Sequence, residues 1–258
     1  MNTIKELYAY REMIFSLVRR DLKGRYKGSA LGFMWTFLNP LLQLGIYTMV
    51  FSVIMRSGIE DFYLFLFVAL VPWIFFSASI TGGASSITSQ SEMVKKIYFP
   101  REVLPIAFVT GQFINMLLSF IVIFVVLIIS GKGINLISIP FLIPVMLLEY
   151  ILALGIALIT SSVTVYLRDV EHILGIITMG WQFMTPVIYS IDMVPERLRY
   201  IFNLNPMTPI VNAYRDILYY KRIPDMHTLL HGAVLGVMLL IIGMLVFSKL
   251  KHHFAEEL

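Results

Sequence analysis

The sequence predicts an all-α, polytopic membrane protein with six transmembrane helices, an N-terminal amphipathic interface helix and a re-entrant helical hairpin on the outer side. Two observations carry this. Of the 258 residues, 58% are hydrophobic and only 14% are charged, against roughly 25% charged in soluble domains, and mean hydropathy is +0.82. The charges are also confined. Uncharged runs cover 28–55, 62–91, 103–131, 173–191 and 228–248, and 133–167 is broken only by Glu149. About 20 residues at ~1.5 Å rise cross the roughly 30 Å hydrocarbon core. Spans are therefore expected near 30–55, 62–85, 105–130, 137–166, 172–191 and 228–248 of one transmembrane domain, 1–258. Each must be helical, because lipid offers no partner to an unpaired backbone group.

Residues 1–27 form the interface element. Ile4, Leu7, Tyr8, Ile14, Phe15, Val18 and Leu22 recur at helical spacing, while Lys5, Glu6, Glu12, Arg19 and Lys23 fall largely on other faces. The segment is charged and periodic, and the apolar run after it is too long for a signal h-region, so no cleavable signal is expected. A helix of this kind lies in the plane of the membrane surface. Its basic cluster, Arg19, Arg20, Lys23, Arg25 and Lys27, has two readings: the positive-inside rule alone, or a place that gathers an anionic lipid head group.

Between the second and third spans, 89–105 reads SQSEMVKKIYFPREVLP. It is too polar to cross and rich in aromatics for a linker. Glu92, Lys95, Lys96 and Arg101 surround Ile97, Tyr98 and Phe99, and Pro100 ends or bends a short helix. Such an element suits a groove on a partner, or it is a membrane-surface turn with belt aromatics. Orientation follows from Lys and Arg. With both termini cytoplasmic, Lys5, Arg11, the basic cluster, Lys95, Lys96, Arg101, Arg168, Lys249 and Lys251 lie inside. Arg56, Lys132, Arg197, Arg199, Arg215, Lys221 and Arg222 lie outside. The bias favours cytoplasmic termini.

Residues 192–225 are long for a turn and too polar to span. Pro195 and Pro206 can open helices, Asn205 can cap one, and Ile210, Val211, Tyr214, Ile217 and Leu218 form a helical stripe. Two short helices dipping in and returning are expected. The outer cations Arg197, Arg199, Arg215, Lys221 and Arg222 read as a solvated rim or as contacts to phosphates or an emerging polymer. The chain has no cysteine, hence no disulfide or thiolate site. Its net charge of +4 sits beside spans, which points to membrane lipid and not to nucleic acid. Metal-ligand spacing, a nucleophile elbow and paired carboxylates are all missing from the sequence, so no catalytic site and no metal are expected.

The segment RRDLKGRYKGSALGFMWTFLNP at 19–40, the loop KKIYFPREVLP at 95–105, the Arg168-Asp169 turn, and PVIYS at 186–190 followed by Asn205-Pro206 together resemble the permease subunit of polysaccharide-exporting ABC transporters. These are the O-antigen, capsule and teichoic acid exporters of the type-2 group. The resemblance runs nearly end to end. It implies a homodimer in the cytoplasmic membrane of a bacterium or archaeon, joined to two separate nucleotide-binding ATPase subunits that carry ATP and Mg. No G-x-x-x-x-G-K-[ST] occurs in the chain, so it would bind no cofactor of its own. It further implies that 89–101 is the coupling helix, with Glu92, Lys95, Lys96, Tyr98, Phe99 and Arg101 at the ATPase. The substrate would be a polyprenyl-pyrophosphate-linked polysaccharide, taken up at Arg19, Arg20, Lys23, Arg25 and Lys27.

Sugar has weakly polar C–H faces that stack on aromatic rings, and many shallow sites bind without trapping. Trp35, Phe37, Tyr47, Phe51, Trp73, Phe75, Phe76, Trp181, Phe183 and Tyr189 are available for a channel. Tyr47, Phe51 and Phe37 lie near one face of the first span. Packing and the interfacial belt compete for each of these rings. Glu149 is the one acid well inside a span, and is either a structural pair, a hydrated site or a proton relay. Two other classes remain at this level: a type-2 ABC exporter of a small lipid or drug, and an ion-coupled secondary transporter that uses Glu149.

Overall fold

The computed structural model describes residues 2–24, 28–56 and 58–258. The N-terminal element is two helices, α1 (Asn2–Ala9) and α2 (Arg11–Gly24), broken at Tyr10. Then come α3 (Trp35–Thr48), α4 (Phe62–Ala84), α5 (Ser91–Lys96), α6 (Val103–Ile129), α7 (Leu142–Tyr166) and α8 (Asp169–Phe183). The chain ends with α9 (Glu196–Leu204), α10 (Met207–Leu218), α11 (Met226–Leu250) and α12 (Phe254–Glu257). Strands are absent among the described residues. Among the described residues, five helical stretches are long and apolar enough to cross a bilayer: Gly32–Ile54, Phe62–Ala84, Val103–Ile129, Ile139–Tyr166 and Met226–His253. The protein is an all-α, multi-pass membrane protein.

The segment expected as a sixth span differs. α8 has 15 residues, or about 22 Å at 1.5 Å per residue, short of the roughly 30 Å core. It ends at Phe183 and gives way to turns before Pro186. Proline lacks an N–H, and its ring disfavours helical backbone in the residue before it. The first span also departs from regular geometry. It opens in a 3₁₀ turn, Gly32–Met34, carries Pro40, and widens to a π-helix over Met49–Ile54.

α4 is the central helix, buried on nearly every side, including Leu64 to Val71, Trp73, Phe75 and Phe76. It packs against α3, α6, α7, α8 and α10. α7 and α11 form the closest pair, and glycines set their approach. A Cβ on Gly155 would lie 2.6 Å from the Leu240 backbone nitrogen, and one on Gly243 would fall on the Gly155 carbonyl. Small residues in membrane helices permit this backbone contact, which maximises dispersion where the hydrophobic effect is absent.

The two ends of the bundle are held by different ties. At one, Tyr10 Oη donates to the Tyr98 carbonyl, Arg20 Nη2 to Gln90 Oε1, Tyr166 Oη to the Leu250 carbonyl, and Lys251 pairs with Glu102. The N-terminal helices, the 89–102 segment and the C-terminus therefore share that end. At the other, Lys132 bridges Asp61 at 2.8 Å and Glu60 at 3.3 Å, and Asn135 Nδ2 donates to the Lys221 carbonyl. Asp61, then Glu60, hold the Lys132 ammonium above the ordinary lysine range, so the lysine of this clamp keeps its charge near neutral pH.

Candidate functional site

The first end carries an exposed, mixed apolar and charged surface around α5. In α5, Val94 is buried, and beyond it Phe99 is buried as well. These two fix the segment to the body, while Glu92, Lys95, Lys96, Ile97 and Tyr98 remain exposed, Tyr98 by 85%. Phe99, expected at the contact, is a core anchor instead, and Arg101 is half-buried. The exposed Lys96–Glu92 pair, 2.5 Å apart, adds little stability in water. Its place beside a protruding Ile-Tyr step suits a hydrophobic anchor with a charged rim.

The segment is gripped from both chain ends. α2 reaches it through Arg20 and Gln90 at 2.9 Å, and α12 packs on α5. Lys251 Nζ lies 2.6 Å from Glu102 Oε1, whose Oε2 is buried with no hydrogen-bond partner among the described residues. Removing the lysine would strand a mostly buried carboxylate, a loss of about 1–3 kcal/mol at this partial exposure. Lys251→Met is expected to lower the melting temperature in detergent by several degrees, roughly 2–4 °C per kcal/mol. The exchange Lys251→Glu with Glu102→Lys should recover most of the drop. A double variant no better than Lys251→Met would show that the pair does not hold these elements together.

Of the basic cluster, Arg19 and Lys23 are exposed one turn apart and Arg20 is engaged with Gln90; Arg25 and Lys27 lie outside the described residues. The aromatics divide. Trp73 and Phe76 do not line a surface: they are core residues, Trp73–Phe76 at 5.6 Å and Phe76–Trp181 edge-on at 5.1 Å between ring centroids. α4 is surrounded, so its rings face other helices. Trp35, Phe37, Tyr47, Phe51 and Tyr189 are half-buried, and Phe183 is exposed. Gln182 of α8 lies 3.4 Å from Tyr47 Oη of α3, and Gln43, one turn before Tyr47, is exposed. Polar side chains at this depth are costly against lipid, which marks the α3–α8 face as one that meets something else.

The opposite end holds a polar hub that sequence reading missed. Arg215 of α10 is 2% exposed. It donates to the carbonyls of Phe65, Pro186, Val187 and Tyr189, at 3.3 Å for Phe65 and 2.6 Å for Val187, and its guanidinium lies 3.6 Å from the Phe65 ring centroid. Asn205 Nδ2 donates to the Met184 carbonyl, and its Oδ1 accepts from Trp181 Nε1 and the Met207 amide. Together the two side chains satisfy the non-helical backbone that follows α8. Irregular backbone persists at membrane depth only when protein or water supplies such partners. Arg215 is therefore no rim cation. Arg199 is tied to the Asp192 and Val194 carbonyls, Arg222 pairs with Asp216 at 2.7 Å, and Arg197 is exposed. Glu149, fully buried, accepts from Tyr214 Oη at 2.6 Å, which ties α7 to α10.

The family model of ABC-2 type transporters matches residues 12–219. The chain belongs to this family. It is 37% identical over 257 residues to the O-antigen export system permease protein RfbA of Myxococcus xanthus, covering 99% of this chain and 98% of that protein. It is 32% identical over 260 residues to the permease of the same name from Klebsiella pneumoniae, covering 96% and 95%. The polysialic acid transport protein KpsM of Escherichia coli is 22% identical over 238 residues, covering 90% and 91%. The matched region of the ABC-2 domain runs from α2 through the end of α10 and so includes the gripped α5 segment, the α3–α8 face and the Arg215 hub.

Proposed function

We propose that this ABC-2 transporter chain is the permease subunit of an ATP-driven exporter that carries a lipid-linked polysaccharide across the cytoplasmic membrane. The observation that carries it is end-to-end similarity to the O-antigen export permeases, at 37% identity over 257 residues. ATP hydrolysis belongs to two separate nucleotide-binding subunits that seat Tyr98, Ile97 and the charges of α5. α2 and α12 grip the same segment, so movement of the ATPases there would be passed to the body of the permease through both.

Two copies would meet across the first span and α8, which leave large apolar side chains uncovered, such as Ile46, Met49, Ile173 and Ile176. Tyr47, Gln43, Gln182 and Phe51 would then face a path between the subunits. The termini lie on the cytoplasmic side, with Arg19 and Lys23 meeting the diphosphate of the lipid carrier. α9 and α10 form a hairpin re-entering from the outer side. Ser138, at the start of the α7 span, bonds the Ile217 carbonyl, and Pro209 packs near Leu148. Ten residues, from Ser138 through the turn before α7 to Leu148, separate those levels, which puts the deep end of α10 about 15 Å inside.

Purifying the tagged chain from its native membranes in mild detergent should recover an ATPase subunit in equal amount. Tyr98→Ala should reduce that recovery roughly tenfold, as expected of an aromatic anchor at an interface, without lowering the amount of permease in the membrane. Wild-type chain recovered alone, and active in vesicles without ATP, would remove the exporter reading.

A further inference from the structure

Between α10, the 190–192 turn and the start of α11, at the end of the bundle opposite α5, lies a cavity of about 370 Å³. That is within the roughly 300–1,000 Å³ of small-ligand pockets. Both cations of its lining are committed. Arg215 donates to four carbonyls, which occupies most of the five N–H groups of a guanidinium, and Arg222 is held by Asp216 through two nitrogens at 2.7 Å. The hydrogen-bond acceptors of the lining are oriented but not exhausted. Asp192 Oδ2 accepts from Ser190 Oγ at 3.0 Å, and Asp225 accepts from Thr228 Oγ1 and the His227 amide. A carboxylate offers about four lone-pair sites, so each keeps room for further donors.

The lining selects the chemistry. Phosphate would meet three carboxylates and two cations that are already engaged. A metal ion is disfavoured as well, because among the described residues no three acidic or histidine side chains are grouped to hold one. Asn212, half-buried on the cavity wall, makes no side-chain hydrogen bond among the described residues. Its amide needs a ligand that both donates and accepts. An ammonium group only donates, whereas a hydroxyl does both. Tyr220, 46% exposed, adds an aromatic ring to the same wall. Fixed acceptors, an open amide and a ring together fit a sugar, whose hydroxyls lie beside weakly polar C–H faces.

We propose that this cavity binds one neutral sugar unit of the exported glycan, with Asp192 and Asp225 accepting from its hydroxyls, Asn212 both donating and accepting, and Tyr220 packing on its C–H face. The site rests on the export reading and extends it, giving the glycan a binding step beside α10. Its readout is binding and not transport. The full chain, purified in a sugar-free detergent, is mixed with the glycan released by mild acid from the lipid fraction of its native membranes. Saturation-transfer NMR is expected to show transfer to the ring protons of neutral units. Tyr220→Ala and Asn212→Leu should each weaken the affinity roughly threefold to tenfold, the loss of a ring contact or of hydrogen bonds. Tyr200→Ala, on the exposed side of α9, should leave it unchanged. Wild type that recovers its ATPase but shows no transfer overturns the site and leaves the export reading standing; wild type that recovers no ATPase strikes the export reading itself. The site is also overturned by unchanged affinity in either folded, monodisperse variant, by transfer to acidic units alone, or by release of the glycan on adding inorganic phosphate, which would mark an anion site.

Discussion

Replacing Arg215 with leucine is expected to cut the recovery of folded protein sharply. The guanidinium is the shared partner of four carbonyls, two of them on consecutive residues, Pro186 and Val187. Leucine would leave all four unpaired at a cost of about 1–3 kcal/mol each, and would forfeit the stacking on Phe65. The sum is comparable with the ~5–15 kcal/mol that holds a typical domain together. A cavity of about 370 Å³ at this end of the bundle touches Arg215, so water can rescue some of these carbonyls, which places the loss toward the lower end. Arg215→Lys keeps a charge but not the planar fork, and one ammonium cannot reach oxygens on both sides of the turn. It should fall between wild type and leucine. The measurement is the yield of monodisperse protein together with proteolysis in the 184–192 turn. Wild-type yield and protection in the leucine variant would show that the turn is held by other contacts.

Much of the architecture was legible because span length and apolar runs are local properties. Five of the six expected segments appear as helices long enough to cross. Pro195 and Pro206 stand at the N-termini of α9 and α10 as read, and Asn205 caps the second by accepting from the Met207 amide. In the fifth apolar run, 173–191, helix α8 stops at Phe183, and hydropathy carries no information about where a helix stops. Pro186, three residues beyond Phe183, carries that information, because its ring disfavours helical backbone in the residue before it.

The site was less legible, for a physical reason. Arg215 looked like one more cation in a basic outer segment, since its partners are backbone carbonyls 26 to 150 residues away, and no side-chain pattern marks a carbonyl. Glu149 stood out as an acid in a span, yet its partner Tyr214 was visible only as one position of an apolar stripe. For the rings, composition gave the inventory but not the direction. Trp73 and Phe76 are as aromatic as Tyr47, and only the central place of α4 separates core from surface. Phe99 and Tyr98 are adjacent and similar in size, yet one is buried and the other protrudes.

Gly243 on α11 carries the other large effect. Gly243→Leu is expected to prevent the α7–α11 pair from closing and to leave little folded chain. The obstacle to a side chain there is the backbone of Gly155, its carbonyl carbon 3.1 Å from an added Cβ and its oxygen nearer still. A flexible neighbour could turn aside, but a helix backbone cannot, so α11 would have to move away along much of its length. Overpacking costs ~1–3 kcal/mol where side chains give way, and more is expected where only the helix axis can. Gly236 provides the control on the same helix. Its added Cβ would meet nothing closer than 3.5 Å, and alanine in a helix interior is favoured over glycine by about 1 kcal/mol. Gly236→Ala should thus melt at or above wild type, Gly243→Ala clearly below it, and Gly243→Leu should aggregate on extraction. The ordering separates close backbone approach from a general sensitivity of α11 to substitution. If Gly236→Ala and Gly243→Ala melted alike, the α7–α11 contact would not be set by glycine.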